Sequence, residues 1–303
     1  MRIILKIEAI EPISVGFEST GIETSLYRIP IIMPDGDIID VPIIPGNSLR
    51  GVLRDEMAFQ FLSDVKKLSG KLSVNAGTLM ILFSGGILAG GQEEVTTKRV
   101  SEIMDNYVKP LLPLSIMGCA LIKMMVPSKI KLGIGYPVTR ETKKLIEDIY
   151  DGEATVSLAD ITSFVLMTRK DDKMKMTQLA VETDFSLLDE LLKKGLKGER
   201  RAAIQQRFRR EVVIPGTLFV TYIDEILPLT PEEWGLLLKT LKRLKGIGGS
   251  VARGLGGLKI TYSGLSAEEV HKFEEAYRDY VKENQKKIID ALQKDPAKLL
   301  SKK

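Results

Sequence analysis

Residues 209–263 spell out a strand, a helix and a strand in unbroken order, and few architectures accept that unit. "RREVVIPGTLFVTYIDEI" (209–226) is rich in β-branched and aromatic residues and is divided by a Pro215–Gly216 turn. "TPEEWGLLLKTLKRLKG" (230–246) is amphipathic, with Pro231 just inside its start and Gly246 just past its end, the asymmetry that marks a helix. "GLKITYS" (257–263) returns to a strand pattern. Between helix and last strand, "IGGSVARGLGGLKI" (247–260) crowds five glycines around Arg253. Each glycine costs about 0.5–1 kcal/mol relative to alanine in regular structure, so the loop must approach something closely.

The first half supplies matching pieces. "RIILKIEA" (2–9) alternates as a strand, and "MPDGD" (33–37) marks a hairpin turn. In "PGNSLRGVLRDEMAFQFL", Asn47 or Ser48 can cap a helix carrying Leu49, Val52, Leu53, Met57 and Phe61 at helical spacing. "SKIKLGIGYPV" (128–138) is a further strand, and 141–150 reads as helical. Without insertions the order is βαββαβ, an α+β, ferredoxin-like (RRM-like) core. The expectation is one antiparallel sheet from 2–9, 128–136, 211–223 and 257–263, backed by helices at 47–61 and 231–245. RNA-recognition domains of this arrangement meet nucleic acid on the open sheet face and its loops. The expected organisation is core at 1–61, an insertion at 62–127, a core strand at 128–138, a second insertion at 139–205, core again at 206–263, and a charged helical tail with a frayed lysine end at 264–303.

Several chemistries lack material. One cysteine, Cys119, excludes an internal disulfide and suits a reducing cytoplasm. One cysteine and one histidine, His271, leave no zinc set and no serine or cysteine triad, and His271 reads as a solvated tail residue. No cofactor motif stands out: "GGSVARGLGG" follows a helix and lacks the ending of a phosphate loop. "MRIILKIEAIEPI" lacks the pattern of a secretion signal, and "LMILFSGGILAGG" is too short and glycine-rich to cross a membrane. A formal net charge of +4 is mild, so any nucleic-acid contact must come from local clusters.

Three segments in register carry a resemblance: "IPGNSLRGVLRD" (44–55), "REVVIPGTLFVTYI" (210–223) and "KGIGGSVARGLGGLKI" (245–260). Together they resemble the repeat-associated (RAMP) superfamily of CRISPR proteins, above all the backbone subunits of type III and type IV-like effector complexes. The resemblance implies binding to crRNA, presentation of it to a complementary target DNA or RNA, copies of the chain in a helical filament, and contacts with other effector subunits. The insertions would be the fingers and thumb of that family.

The residues offer matching chemistry. A helix start at Asn47 and Ser48 favours a phosphate, and Arg50 and Arg54 share one helical face and can grip phosphates; an ordinary cap with solvated arginines is the alternative. Gly248, Gly249 and Gly254 allow backbone approach by RNA or a neighbouring subunit, with Arg253 as a cation, or else serve tight helix-to-strand packing. In "FVLMTRKDDKM", Arg169 and Lys170 read as a turn tip flanked by Met167 and Met174, fit for an apolar wedge between bases or for a plain surface hairpin. Arg200, Arg201, Arg207, Arg209 and Arg210 form a basic run that can track phosphates or stay solvated.

RNA-cutting backbone relatives place an aspartate two residues before a proline in the loop after the first strand. Here that proline is Pro30 and the residue is Arg28; Asp35, Asp37 and Asp40 lie beyond it, in the hairpin. The expectation is a scaffold without catalytic residues or metal. The alternatives are an endoribonuclease of the same superfamily, and an interaction module with no nucleic-acid role.

Overall fold

The computed structural model describes residues 1–88, 96–122, 124–170 and 205–299. In chain order, β1 (Arg2–Ala9) is followed by two hairpins, β2 (Gly16–Thr20) with β3 (Glu23–Leu26) and β4 (Arg28–Ile32) with β5 (Ile38–Pro42). Helices α1 (Gly46–Ser69) and α2 (Ala76–Ser84), strand β6 (Gly86–Leu88), and helices α3 (Thr97–Ile103) and α4 (Leu112–Met117) come next. Short strands follow: β7 (Cys119–Ile122), β8 (Met124–Val126), β9 (Ile130–Leu132) and β10 (Tyr136–Pro137). The last elements are β11 (Thr162–Lys170), β12 (Gln205–Val213), β13 (Leu218–Glu225), α5 (Pro231–Arg243), β14 (Leu258–Ser263), α6 (Ala267–Glu283), α7 (Gln285–Gln293) and α8 (Pro296–Leu299).

The protein is thus a mixed α+β fold with several sheets. In the largest, β1 lies between β13 and β14, antiparallel to both, and β9 and β10 pair with the far side of β13. Alternation along β1 sends Ile3, Leu5, Ile7 and Ala9 inward, where Phe219 and Ile223 join them from β13. Helix α1 covers this face with Leu49, Leu53, Met57 and Phe61, and α5 with Trp234, Leu237 and Leu241. Glu233 ties this layer together. It accepts from Thr230 N at the start of α5 (2.9 Å), from Lys129 Nζ (2.7 and 2.8 Å) and from Ser115 Oγ (2.5 Å).

Four expectations change. The segment 211–223 is not one core strand: the Pro215–Gly216 turn passes the chain from β12, in a second sheet, to β13 in the first. That second sheet runs β11–β12–β3–β2. The strand at 128–136 is two short pieces, interrupted where Gly133 packs on the Tyr222 ring. Residues 141–150 hold only a 3₁₀ turn at Lys143–Leu145, and α1 runs on to Ser69. The helical tail also contributes to the core: Tyr277, Val281, Ile288, Ala291 and Leu292 are buried there, alongside Leu82 and Tyr107 from the 62–127 segment.

Candidate nucleic-acid interface

The outer face of the main sheet is not an open platform. Val138, Ile146, Ile149 and Tyr150 fold over Ile4, Leu218 and Val220, and Lys6 lies 5.2 Å above the Tyr150 ring. Any contact with a polyanion must use the loops and the second sheet.

At the start of α1, Pro45 is the N-cap residue and no side chain caps the helix; Asn47 and Ser48 already lie in its first turn. Asn47 is exposed, and its Oδ1 accepts from Ser48 N at 2.9 Å. A side chain on Gly46 would sit 2.8 Å from Leu132 O, so this helix start is pressed against β9. Arg50 and Arg54 do share a face, but that face looks at the C-terminus of α4. Arg54 donates to Gly118 O (3.1 Å) and Met117 O (3.2 Å), while Arg50 donates to Met117 O and to Ser128 Oγ (3.0 Å). Burial lowers the pKa of both guanidiniums, and for Arg54 the charge of Arg50 adds to this. The last carbonyls of a helix lack partners within it and carry partial negative charge, so two arginines there complete the fold. These donors are turned toward α4 instead of outward, which tells against a phosphate grip by this pair.

The glycine loop first approaches the chain itself. Gly249 N donates to Ser14 O (3.0 Å), Gly256 N to Pro12 O (2.8 Å) and Gly257 N to Glu11 Oε2 (3.0 Å). A side chain on Gly248, at φ +85°, would lie 2.4 Å from Ser14 O, and one on Gly249 would lie 2.5 Å from Arg210 Nη1. Gly248 and Gly249 thus let the loop lie on residues 11–15 and on β12. The tip is different. Gly254 has φ +80° with open space around it, and Arg253 is exposed with no side-chain partner among the described residues.

Arginines occupy both faces of β12. Arg210 meets the glycine loop, and Val165, opposite it in register, shares its face. Arg207 and Arg209 point the other way, in register with Thr168 and Leu166. Arg209 stacks on Phe164, 3.6 Å from the ring centre, and stands 3.7 Å from Glu23. Arg207 is exposed. Arg169 and Lys170 are not a turn tip: they extend β11, opposite Gln206 and Gln205, and Met167 pairs with Phe208. Met174, Arg200 and Arg201 lie outside the described residues.

Arg28 makes a two-pronged ion pair with Glu211, at 2.6 and 2.7 Å, and Glu211 Oε2 also accepts from Leu26 N at 2.9 Å. Arg28 and these hydrogen bonds lower the Glu211 pKa, and Glu211 in turn raises that of Arg28. Sequence reasoning passed over Glu211, a buried carboxylate that fixes the second sheet to the β4–β5 hairpin. Its one signal was a lone acid between the arginine run and the apolar stretch "VVI". Among the described residues no group of three or more His, Cys, Asp or Glu is arranged to hold a metal, and no helix is long and apolar enough to cross a membrane.

A sheet with β1 at its centre, helices on one face and a glycine loop before its last strand defines a class, and the superfamily pattern agrees. The RAMP superfamily matches residues 6–259, and the chain belongs to it. No curated protein matches the chain. Among solved structures, a chain of a type IV-B CRISPR complex is similar in fold, with a TM-score of 0.56 at 16% identity over 88% of this chain and 92% of that one. Csc2 of Thermofilum pendens aligns over 98% of this chain and 82% of its own length, at 13% identity and a TM-score of 0.40.

Proposed function

We propose that this chain is a crRNA-binding backbone subunit of a CRISPR effector complex, working in the cytoplasm, with a ferredoxin-like core and no nuclease activity. The core assignment is supported by the sheet order β14–β1–β13–β9/β10, which is that of a βαββαβ fold whose second strand is split. The observation that carries the functional reading is the meeting of the glycine loop and the arginine strand β12, with Arg210 on Gly249, Arg253 left exposed at the loop tip and Arg207 exposed on the opposite face of β12. Exposed, unpaired guanidiniums beside accessible backbone suit phosphates and read no sequence.

Contacts with crRNA then fall on Arg207, Arg253 and the backbone at Gly254. Arg169, Lys170 and Met167 at the far end of β11, and Asn47 and Ser48 at the exposed rim of α1, extend the path. Complementary DNA or RNA, further copies of the chain and other effector subunits are its partners. The Arg28–Glu211 pair supports the scaffold reading, because both groups are spent on each other where cutting relatives need a free acid.

Purification without nuclease, followed by sequencing of the retained RNA, tests this reading. Repeat-derived RNA of uniform length is expected; a nucleic-acid-free protein that fails to bind added crRNA overturns it. Complementary labelled RNA with magnesium should stay intact. Regularly spaced cutting that is lost in Asp35→Ala, Asp37→Ala or Asp40→Ala would instead give the hairpin a catalytic role.

A further inference from the structure

The β4–β5 hairpin carries an apolar pair that the rest of the described chain leaves bare. Ile32 and Ile38 face each other across its end and are 75% and 69% exposed. Its other face, with Ile31 and Val41, is buried. Between Ile29 and Pro45 there are three aspartates, Asp35, Asp37 and Asp40, and no lysine or arginine. An acidic tip repels a phosphate backbone, so its partner is a protein surface.

A pocket of matching character lies at the other end of α1. It has a volume of about 420 Å³ and sits between the last turns of α1, α5 and α6. Lys67, Lys239, Lys242, Arg278 and Lys282 rim it against only two carboxylates, Asp64 and Glu274. Lys239 is bound to Asp64 (2.8 Å) and Lys242 to Glu274 (2.5 Å); Lys67 stands 4.0 Å from Asp64 and Lys282 3.9 Å from Asp279, at the limit of an ion pair, so the rim keeps an excess of positive charge centred on Arg278. Leu68, 47% exposed, supplies the apolar wall, with Val281, 2% exposed, at its back.

The hairpin feeds directly into the first turn of α1, and the pocket begins some 20 residues along it, about 30 Å away at 1.5 Å per residue. One copy therefore cannot fill its own pocket. We propose that the β4–β5 hairpin of one copy seats in the α1–α5–α6 pocket of the next, Ile32 and Ile38 against Leu68 and Val281, with Asp35 and Asp37 toward Lys67, Arg278 and Lys282. Two unlike patches give a head-to-tail contact, which propagates instead of closing as a two-fold dimer. This inference rests on the backbone-subunit reading and names the surface by which its copies join.

Ile38→Cys and Leu68→Cys in one full-length chain, purified with its RNA, provide the test. Cys119 is buried, and burial pushes its thiol up to about 12, so it stays out of the exchange. Mild oxidation should give a ladder of dimers, trimers and longer species, with each single-cysteine chain stopping at dimers. Adding Asp35→Lys and Asp37→Lys should cut the ladder about tenfold, and mixing that chain with one carrying Lys67→Glu, Arg278→Glu and Lys282→Glu should restore cross-linked pairs. Absence of the ladder, or a ladder indifferent to the charge changes, overturns the docking. Binding to a short labelled RNA should be unchanged in all variants. Loss of the ladder with RNA binding intact rejects this contact alone, whereas failure of the unmodified chain to bind RNA rejects the reading beneath it.

Discussion

The arginines of α1 and those offered to a phosphate, Arg253 in the glycine loop and Arg207 in the basic run, look interchangeable in the sequence. Arg50, Arg54 and Arg253 each stand within a few residues of a glycine, and Arg207 sits among four other arginines. In the structure they do opposite things. Arg50 and Arg54 are half-buried and spend their donors on Met117, Gly118 and Ser128, whereas Arg207 and Arg253 are exposed with no partner among the described residues. The difference comes from what surrounds them. The C-terminus of α4 leaves carbonyls unpaired opposite α1, and an arginine that can satisfy two of them is drawn inward. Among the described residues no such acceptors face the tip of the glycine loop. An arginine near a helix start is therefore a candidate anion site only once the neighbouring helix ends are accounted for.

This contrast can be broken experimentally, and the largest effect is expected from a third arginine. Arg28→Ala strands the buried Glu211 carboxylate and should cost about 3–5 kcal/mol in denaturant unfolding. Arg28→Asp should be worse, since it sets two carboxylates together, so it is expected to unfold the hairpin junction instead of building a cutting site. Acid weakens the same pair. The Glu211 pKa is lowered in the fold, so its contribution is complete above the unfolded value of about 4.3 and fades as pH falls through the folded one. Glu211→Gln should flatten that acid limb of a stability–pH profile; an unchanged limb would point to other carboxylates. Arg50→Ala or Arg54→Ala should each lower stability by about 1.5–3 kcal/mol, the range for a hydrogen bond to a charged group, while the folded variant keeps its RNA affinity. A loss of affinity without a loss of stability would reverse the contrast. Arg207→Ala and Arg253→Ala should do the converse: unfolding midpoints stay put, and the slope of log affinity against log salt falls by about 0.7–0.9 per arginine removed. The smallest effect is expected at the loop tip, where Gly254→Ala, at φ +80° with no neighbours, should cost only about 1 kcal/mol of backbone strain.

Local signals in the chain were legible where punctuation and period agree. Thr230, Pro231 and Gly246 bracket α5, and the alternation of Ile3, Leu5 and Ile7 gives β1 and its buried face. Partner choice was not legible, because it is decided across long separations. "RREVVIPGTLFVTYIDEI" carries one continuous strand-like composition, yet Val213 and Leu218 belong to different sheets. The break follows from pairing: β12 finds β3 and β11, and β13 finds β1. How the polar tail packs was not legible for the same reason. Its charges face solvent, and only the spacing of Tyr277, Val281 and Ile288 betrays a buried stripe. At the candidate site, the glycines were recognised as close-approach positions, but the surface they approach, residues 11–15, is more than 230 residues away in sequence.

The Pro215–Gly216 turn has a mechanical consequence. Ile214 N bonds to Ile161 O, Gly216 N to Ala9 O, and Val213 pairs with Ile13, so the root of the β11–β12 ribbon is pinned to both ends of the segment leaving β1. From that fulcrum the ribbon extends nine residues to Lys170, roughly 30 Å at 3.3 Å per residue. It is a lever whose short arm is the central strand of the main sheet. A force at the far end acts on β1 through this root with the leverage of that length.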